Sequence, residues 1–204
     1  MSSPADIFTT LLAPISGHAG SCTAVEYRAV LEQLTALAPC RLLIFGCGRD
    51  SAAWLAANRG GSTVFLEDSP EWAARTRALL PEADIIGVSY PARPERWRFH
   101  LAGLREGTPA AELVMPLPER VRQESWDLIF VDGPVSELFG GRGRQSSLVA
   151  ASQLAGPETA VCVHDTDRPL ERLFCRELFD HRRSFRQVER MRIYPPCPVT
   201  SAGR

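Results

Sequence analysis

Polar residues that could bind a ligand or move a proton follow several short apolar runs of the sequence. Gly46-Cys47-Gly48 comes directly after the run 42–45, and Glu67-Asp68 directly after the run 63–66. Runs of this length are typical of strands buried in a parallel sheet. The carboxyl ends of parallel strands meet at one edge of the sheet, where ligands bind, so we expect these side chains to converge. Later runs end in the same way, at Tyr90, Asp132 and His164-Asp165.

The first two runs have the spacing of a βαβ unit that binds a nucleoside. Gly46 and Gly48 let the backbone turn sharply, and the helix that follows presents free N–H groups to a carboxylate. The third glycine of the dinucleotide fingerprint is missing, so the turn fits S-adenosylmethionine better than NAD. Glu67 or Asp68 can accept the ribose hydroxyls, and Glu67 is preferred because it comes first past the apolar run. The alternative is a tight βα turn beside an acidic loop that binds nothing.

The later strand ends predict how a hydroxyl could be methylated. Methyl transfer is an in-line displacement, in which the enzyme aligns donor and acceptor while a group removes the hydroxyl proton. His164 or Asp132 could act as the general base. Alternatively, Asp132, Asp165 and Asp167 could hold a divalent ion that lowers the pKa of the acceptor oxygen. The competing interpretations are structural: the aspartates as helix caps and His164 as a hydrogen-bonded support.

Arginines close to these strand ends are candidates for binding an acidic acceptor. Arg142 and Arg144 lie in a glycine-rich loop beyond Asp132, and Arg168 lies beside the fifth predicted strand. A guanidinium group can contact a carboxylate with two parallel hydrogen bonds. Tyr90 could stack on the adenine or on the sugar. The alternatives are a solvated surface loop for the arginines and a place in the core for Tyr90.

Composition predicts one soluble globular domain. The chain has 204 residues, 45% of them hydrophobic and 23% charged, with a net charge of −1. This balance favours neither nucleic acid nor an anionic membrane surface, and no segment is apolar enough for a membrane span. All 23 basic residues are arginine, which suggests a bacterial genome rich in G and C. The sequence does not predict the oligomeric state.

The six cysteines indicate a reducing compartment. They are scattered without a C-x-x-C pair, and the N-terminus lacks the basic and apolar regions of a signal peptide. We therefore expect reduced thiols in a cytoplasmic protein, not a disulfide framework or a zinc site.

Strand and helix patterns alternate along the chain, which predicts an α/β, Rossmann-like fold with a mostly parallel twisted sheet and helices on both faces. We expect a lead-in at 1–22, one domain at 23–194 and a loose tail at 195–204. Ser21 or Thr23 is expected to cap the first long helix, and Ser69-Pro70-Glu71 to begin another. A third strand is predicted at 85–90, an edge strand at 113–117 and a late antiparallel pair within 185–193.

Four blocks of sequence resemble one family. APCRLLIFGCGRDSAAWLAANRGGSTVFLEDSPEW is similar to the opening of the plant glucuronoxylan 4-O-methyltransferases and their relatives in xylan biosynthesis. The likeness resumes at WDLIFVDGP, at Gly143-Arg144 and at VHDTDRPLERLFCRELF, and so extends over about 23–179. Arg49, Gly133 and Asp167 depart from the family pattern, which has histidine, alanine and asparagine there. The resemblance does not extend to the membrane anchor and the cysteine-bearing insert of the plant proteins, which we expect to be absent here.

The resemblance implies a class I S-adenosylmethionine-dependent methyltransferase fold, with a divalent metal ion implicated in the activity. Known members methylate the 4-hydroxyl of glucuronic acid on xylan. By position it implies cofactor binding by Gly46, Gly48, Asp50, Ser51 and Glu67. It implies an acceptor side formed by Asp132, Arg144, His164, Asp165 and Arg168.

Three functions remain open from the sequence. The first is an O-methyltransferase acting on a hydroxyl of a sugar or uronic acid. The second is a methyltransferase of the same fold that modifies a small natural product or another metabolite. The third is a non-catalytic binding or scaffold protein with a relic cofactor pocket. The intact glycine turn and the polar strand ends favour the enzymes.

Overall fold

The computed structural model describes residues 3–18, 20–134 and 143–197. Its centre is a seven-stranded sheet in the order β3-β2-β1-β4-β5-β7-β6. Strands β1 to β5 run parallel, β7 pairs antiparallel with β5, and β6 pairs antiparallel with β7. The strands are β1 Arg41–Phe45, β2 Ser62–Glu67, β3 Asp84–Gly87, β4 Leu128–Val131, β5 Ala160–Val163, β6 Arg186–Val188 and β7 Met191–Tyr194.

The helices cover both faces of this sheet. Alternate residues of the central strands enter two separate cores, with Leu42 and Ile44 in one and Leu43 and Phe45 in the other. The helices are α1 Pro4–Ile7, α2 Ala24–Leu37, α3 Ser51–Ala57, α4 Pro70–Leu79, α5 Trp97–Arg105, α6 Glu119–Gln123, α7 Gln145–Leu154 and α8 Pro169–Cys175. Short π-helical turns, Phe8–Leu12 and Arg176–Asp180, continue α1 and α8. The predicted layered architecture is confirmed.

The N-terminal lead-in belongs to the folded body. Ile7, Phe8, Leu12 and Cys22 are buried and join the core on the face covered by α2 and α3. Thr23 then caps α2, as the sequence predicted, by accepting a hydrogen bond from the backbone of Glu26. The lead-in therefore contributes side chains to the interior on this face of the sheet.

Local expectations were met at some elements and wrong at others. Ser69 caps α4 with proline at the first helical position, and the late antiparallel pair exists as β6 and β7. Strand β3 ends at Gly87 and does not reach Tyr90. The predicted edge strand at 113–117 is wrong, because Leu113 is the last residue of a 3-10 turn and the residues after it form a loop. Prolines at 116 and 118 lack the N–H groups that a strand ladder needs.

The order of the strands creates a crevice between β1 and β4. From β1 the chain moves outward to β2 and β3, and it then returns to build β4 and β5 on the other side. Ligands of open parallel sheets bind at such a reversal point, beyond the carboxyl ends of the strands. Gly46 and Gly133 face each other there, and a Cβ atom on Gly133 would lie 2.9 Å from the Gly46 Cα. This close approach favours glycine at 133.

Among the described helices, none is both long enough and apolar enough to cross a bilayer.

Candidate active site

A cavity of about 570 Å³ opens at the carboxyl ends of β1, β2 and β4. It is lined by most of the predicted donor-binding residues, namely Gly46, Gly48, Asp50, Glu67 and Asp68, and also by Asp132. Gly20, Ser21, Tyr27 and Trp72 complete much of the wall, and the sequence analysis did not anticipate them. The N-terminal segment before α2 therefore forms one side of the cavity.

The glycine turn after β1 is held in place by side chains behind it. The N–H of Gly48 donates to Ser51 Oγ at 2.9 Å, and Ser51 is fully buried. Ser51 thus supports the turn and does not line the cavity. Gly46 has a φ of +102°, a conformation that glycine adopts without the steric cost borne by other residues.

Glu67 connects the end of β2 to this turn. Its Oε2 accepts the N–H of Cys47 at 2.8 Å, and its Oε1 accepts the N–H of Ser69 at 2.8 Å. Each carboxylate oxygen retains lone-pair capacity for a further donor. Glu67 and Asp68 both line the cavity, so the ribose contact predicted for either residue is compatible with this geometry.

Two carboxyl groups face the cavity from different strand ends, Asp50 after β1 and Asp132 after β4. Burial, together with the charge of Asp132, raises the pKa of Asp50 to about 7. Asp132 is held in the sheet by its backbone N–H, which donates to Phe45 at 3.1 Å. Its side chain remains 20% exposed on the cavity side. The cavity thus has an acidic wall that would favour a cationic ligand.

A buried network of charged groups lies behind Asp132. His164 Nδ1 is 2.7 Å from Asp132 Oδ1. Arg144, at the start of α7, donates to the backbone carbonyl groups of Asp132 at 2.5 Å and His164 at 2.8 Å. The same guanidinium forms an ion pair with Asp165 at 2.7 Å. These contacts join the ends of β4 and β5 and fix the direction of the Asp132 carboxylate.

Asp165 is surrounded by three arginines. Its carboxylate lies 2.7 Å from Arg144, 3.0 Å from Arg168 and 3.3 Å from Arg190. Burial opposes ionisation, but these guanidinium groups and His164 hold the pKa of Asp165 below its usual range. Asp165 also has a φ of +59°, a backbone conformation that is uncommon outside glycine. Its contacts are those of a buried structural carboxylate.

The predicted metal group of Asp132, Asp165 and Asp167 is not formed and has to be corrected. Asp167 is exposed, whereas Asp165 is buried against the arginines and Asp132 is bound to His164. Within the described part of the chain, these three carboxylates do not converge on a common point. Three guanidinium groups around Asp165 would also oppose a cation there.

Glu26 is a site residue that the sequence analysis missed. It is fully buried in the first turn of α2, and its Oε2 lies 3.3 Å from His164 Nε2. The same carboxylate accepts the N–H of Thr23 at 2.8 Å and the guanidinium of Arg190 at 3.0 Å. The available signal was the capping pattern Thr-x-x-Glu, which indicates a helix start and does not point to an active site.

The ring of His164 therefore lies between two carboxylates. Burial alone would lower the pKa of His164, but Asp132 and Glu26 outweigh it and raise the pKa to about 9. Burial in turn opposes ionisation of Glu26, yet His164 and the N–H of Thr23 lower the pKa of Glu26 to about 2. The two carboxylates therefore favour the protonated form of the ring.

The predicted acceptor-binding residues differ in where they lie. Arg144 is only 3% exposed, its terminal nitrogens bind the strand ends and Asp165, and it does not line the cavity, so the structure argues against the predicted contact with an acceptor. Tyr90 is buried in the core and is not among the residues lining the cavity. Arg168 is about one-third exposed, so it stays a candidate. Arg142 lies outside the described residues.

Replacing Arg144 with methionine tests whether it balances this buried charge. Arg144→Met leaves Asp165 and Asp132 without their shared guanidinium, so we expect the free energy of unfolding to fall by about 3–5 kcal/mol. The exposed Arg172 of α8 is the matched control, and Arg172→Met should change stability by less than about 0.5 kcal/mol. Urea denaturation measures both. Equal stability of the two variants would contradict the assigned role.

The fold matches solved structures of methyltransferases. A TehB-like SAM-dependent methyltransferase from Corynebacterium glutamicum aligns with 95% of this chain and 100% of its own, with a TM-score of 0.53 and 12% identity. A putative RNA methyltransferase from Pyrococcus horikoshii aligns with 98% and 99%, with a TM-score of 0.50 and 10% identity. At such identities the likeness concerns the fold alone. The predicted class I methyltransferase fold is confirmed.

Sequence comparison gives the family. The family model IRX15/IRX15L/GXM matches residues 25–194, and the chain belongs to this family. Three relatives from Arabidopsis thaliana illustrate the match. Protein IRREGULAR XYLEM 15 is 33% identical over 74% of this chain and 55% of its own. Glucuronoxylan 4-O-methyltransferase 1 is 31% identical over 67% and 54%, and arabinogalactan O-methyltransferase 2 is 29% identical over 81% and 64%. The chain spans little more than half the length of the first two.

Proposed function

We propose that this protein is an S-adenosylmethionine-dependent O-methyltransferase that acts on a hydroxyl group of a sugar or uronic acid. The observation that carries the proposal is the cavity in which the glycine turn, Glu67 and Asp132 meet. Relatives named as methyltransferases of glucuronoxylan and of arabinogalactan support a saccharide acceptor. Because the chain spans only part of the length of these relatives, the acceptor itself is part of the proposal.

The residues present fit the donor. The turn at Gly46 and Gly48 would hold the amino-acid end, and Glu67 or Asp68 would hold the ribose hydroxyls. Trp72 offers an aromatic surface for the adenine. When bound, S-adenosylmethionine supplies an electrophilic methyl group on a sulfonium ion. The carboxylates of Asp50 and Asp132 would balance the positive charge of the sulfonium ion.

We assign proton removal from the acceptor hydroxyl to Asp132. Of the three predicted catalytic residues, only Asp132 is among the residues that line the cavity. Two residues behind Asp132 orient its carboxylate. His164 Nδ1 lies 2.7 Å from Asp132 Oδ1, and a terminal nitrogen of Arg144 lies 3.3 Å from the same oxygen. His164 and Asp165 are accordingly positioning residues in this proposal. Alignment of the two reactants supplies much of the expected rate enhancement.

A glycine substitution tests donor binding without disturbing the fold. A Cβ atom at Gly48 would meet only Asp50 Oδ1, at 3.7 Å, so Gly48→Val can fold while it fills space in the donor cavity. We expect affinity for S-adenosylmethionine to fall at least about tenfold, or about 1.4 kcal/mol, by calorimetry.

Gly156→Val is the matched control, because its Cβ atom would meet only Thr159 Oγ1, at 3.8 Å, outside the cavity. It should bind the donor as the wild type does. Unchanged affinity in Gly48→Val would contradict donor binding in this cavity. No donor binding by the wild type would overturn the proposal and favour the scaffold alternative.

The acidic wall predicts a pH dependence of donor binding. Since the pKa of Asp50 is about 7, its carboxyl group gains negative charge as the pH rises through neutrality. Affinity for S-adenosylmethionine should therefore rise relative to that for S-adenosylhomocysteine, which lacks the sulfonium charge. We expect the ratio of the two affinities to increase roughly tenfold, about 1.4 kcal/mol, between low and high pH. Calorimetry at a series of pH values measures this ratio.

Asp50→Asn should remove most of the pH dependence of this ratio. Asp132 and His164 are the charged neighbours that act on Asp50, and both remain in the variant. A ratio that varies equally with pH in the wild type and in Asp50→Asn would show that Asp50 does not interact with the sulfonium group.

A further inference from the structure

Three potential metal ligands from distant parts of the sequence meet behind the cavity. Cys22 precedes α2, Glu26 lies in its first turn and His164 follows β5. The thiol sulfur, one carboxylate oxygen and one ring nitrogen all lie within 4.8 Å of one another. Cys22 and Glu26 are fully buried and His164 is 1% exposed. Such a group differs from a surface cluster of acids, in which the members face water.

His164 is oriented as metal-binding histidines usually are. Its Nδ1 is held by Asp132 Oδ1 at 2.7 Å, an arrangement that leaves Nε2 available for a metal. Within the described part of the chain, Nε2 is buried and makes no hydrogen bond. The Oε2 of Glu26 is within ion-pair distance, at 3.3 Å, but not in hydrogen-bonding geometry. Two ligands on one tetrahedral zinc ion, with bonds of about 2.0–2.1 Å, are separated by a similar distance.

The ligand types of the cluster suit a divalent ion. A thiolate, a carboxylate and a neutral imidazole together carry two negative charges, which one divalent cation neutralises, and binding would release the protons that these groups carry. Glu26 is held by the N–H of Thr23 and by Arg190, whose guanidinium lies 3.0 Å from Oε2 and would have to move away from this oxygen when a cation binds. The nearby Asp165 Oδ1 is farther from Nε2, at 3.7 Å, and is paired with arginines.

We propose that Cys22, Glu26 and His164 bind one divalent transition-metal ion such as Zn²⁺. A sulfur, nitrogen and oxygen ligand set favours this class of ion over Mg²⁺ or Ca²⁺. The ion would connect the N-terminal segment, which forms one wall of the cavity through Gly20 and Ser21, to the end of β5. The proposal stands independently of the methyltransferase activity, since binding of the ion can be measured without donor or acceptor.

Cobalt(II) titration tests the proposal, because Co²⁺ occupies zinc sites and reports thiolate ligation by a charge-transfer absorption band. Reduced, metal-stripped protein should bind one equivalent of Co²⁺ and show this band, and Zn²⁺ should abolish it by displacement. Cys22→Ser should lose the band, and Glu26→Gln should lower Co²⁺ affinity at least tenfold. Cys197→Ser is the matched control and should behave as the wild type, since Cys197 lies outside the cluster.

Circular dichroism and the melting temperature of the metal-free proteins establish that Cys22→Ser is folded. Metal should then raise the melting temperature of the wild type and of Cys197→Ser, but not that of Cys22→Ser. A thiolate band that persists in Cys22→Ser would place the metal on other cysteines and overturn the proposal. Absence of the band in the wild type would overturn it equally.

Discussion

The buried guanidinium of Arg144 is the constraint on which the geometry of the site depends. A charge that is removed from water must be neutralised and hydrogen-bonded, or it costs several kcal/mol. Arg144 meets this requirement through Asp165 and through the backbone carbonyl groups at the ends of β4 and β5. Asp165 in turn binds Arg190, which binds Glu26. One buried charge thus fixes two strand ends, the last hairpin and the start of α2.

This arrangement separates the polar residues into two groups. Asp50, Glu67 and Asp132 face the cavity, where a ligand can reach them. His164 and Asp165 lie behind Asp132 and determine where its carboxylate points. The distinction matters for mechanism, because a residue behind the wall can alter the reaction only through a residue that lines it. The N-terminal segment and the start of α2 together reach both groups, since the segment forms part of the wall and Glu26 of α2 joins the buried network.

The sequence predicted the features that follow from local patterns. Apolar runs with polar ends gave the parallel strands and the converging residues, and the four blocks gave the family. The burial of individual polar side chains was harder to predict from the sequence. Arg144 follows a glycine-rich loop, a context that is usually solvated, so its place in the interior was missed. Glu26 looks like an ordinary helix-capping residue, and its contact with His164 spans 138 positions of the chain. The strand predicted at 113–117 from its apolar residues is wrong, because Leu113 ends a 3-10 turn and Pro116 lacks the N–H group that a strand ladder needs.

The most direct test of the central claim is transfer of an isotopically labelled methyl group. The protein would be incubated with labelled S-adenosylmethionine and a xylo-oligosaccharide that carries glucuronic acid, beside the same oligosaccharide without the acid. Mass spectrometry should find one labelled methyl group on the uronic acid and none on the neutral control. Donor binding without transfer to any saccharide would contradict the proposed acceptor class and favour a methyltransferase of other small metabolites.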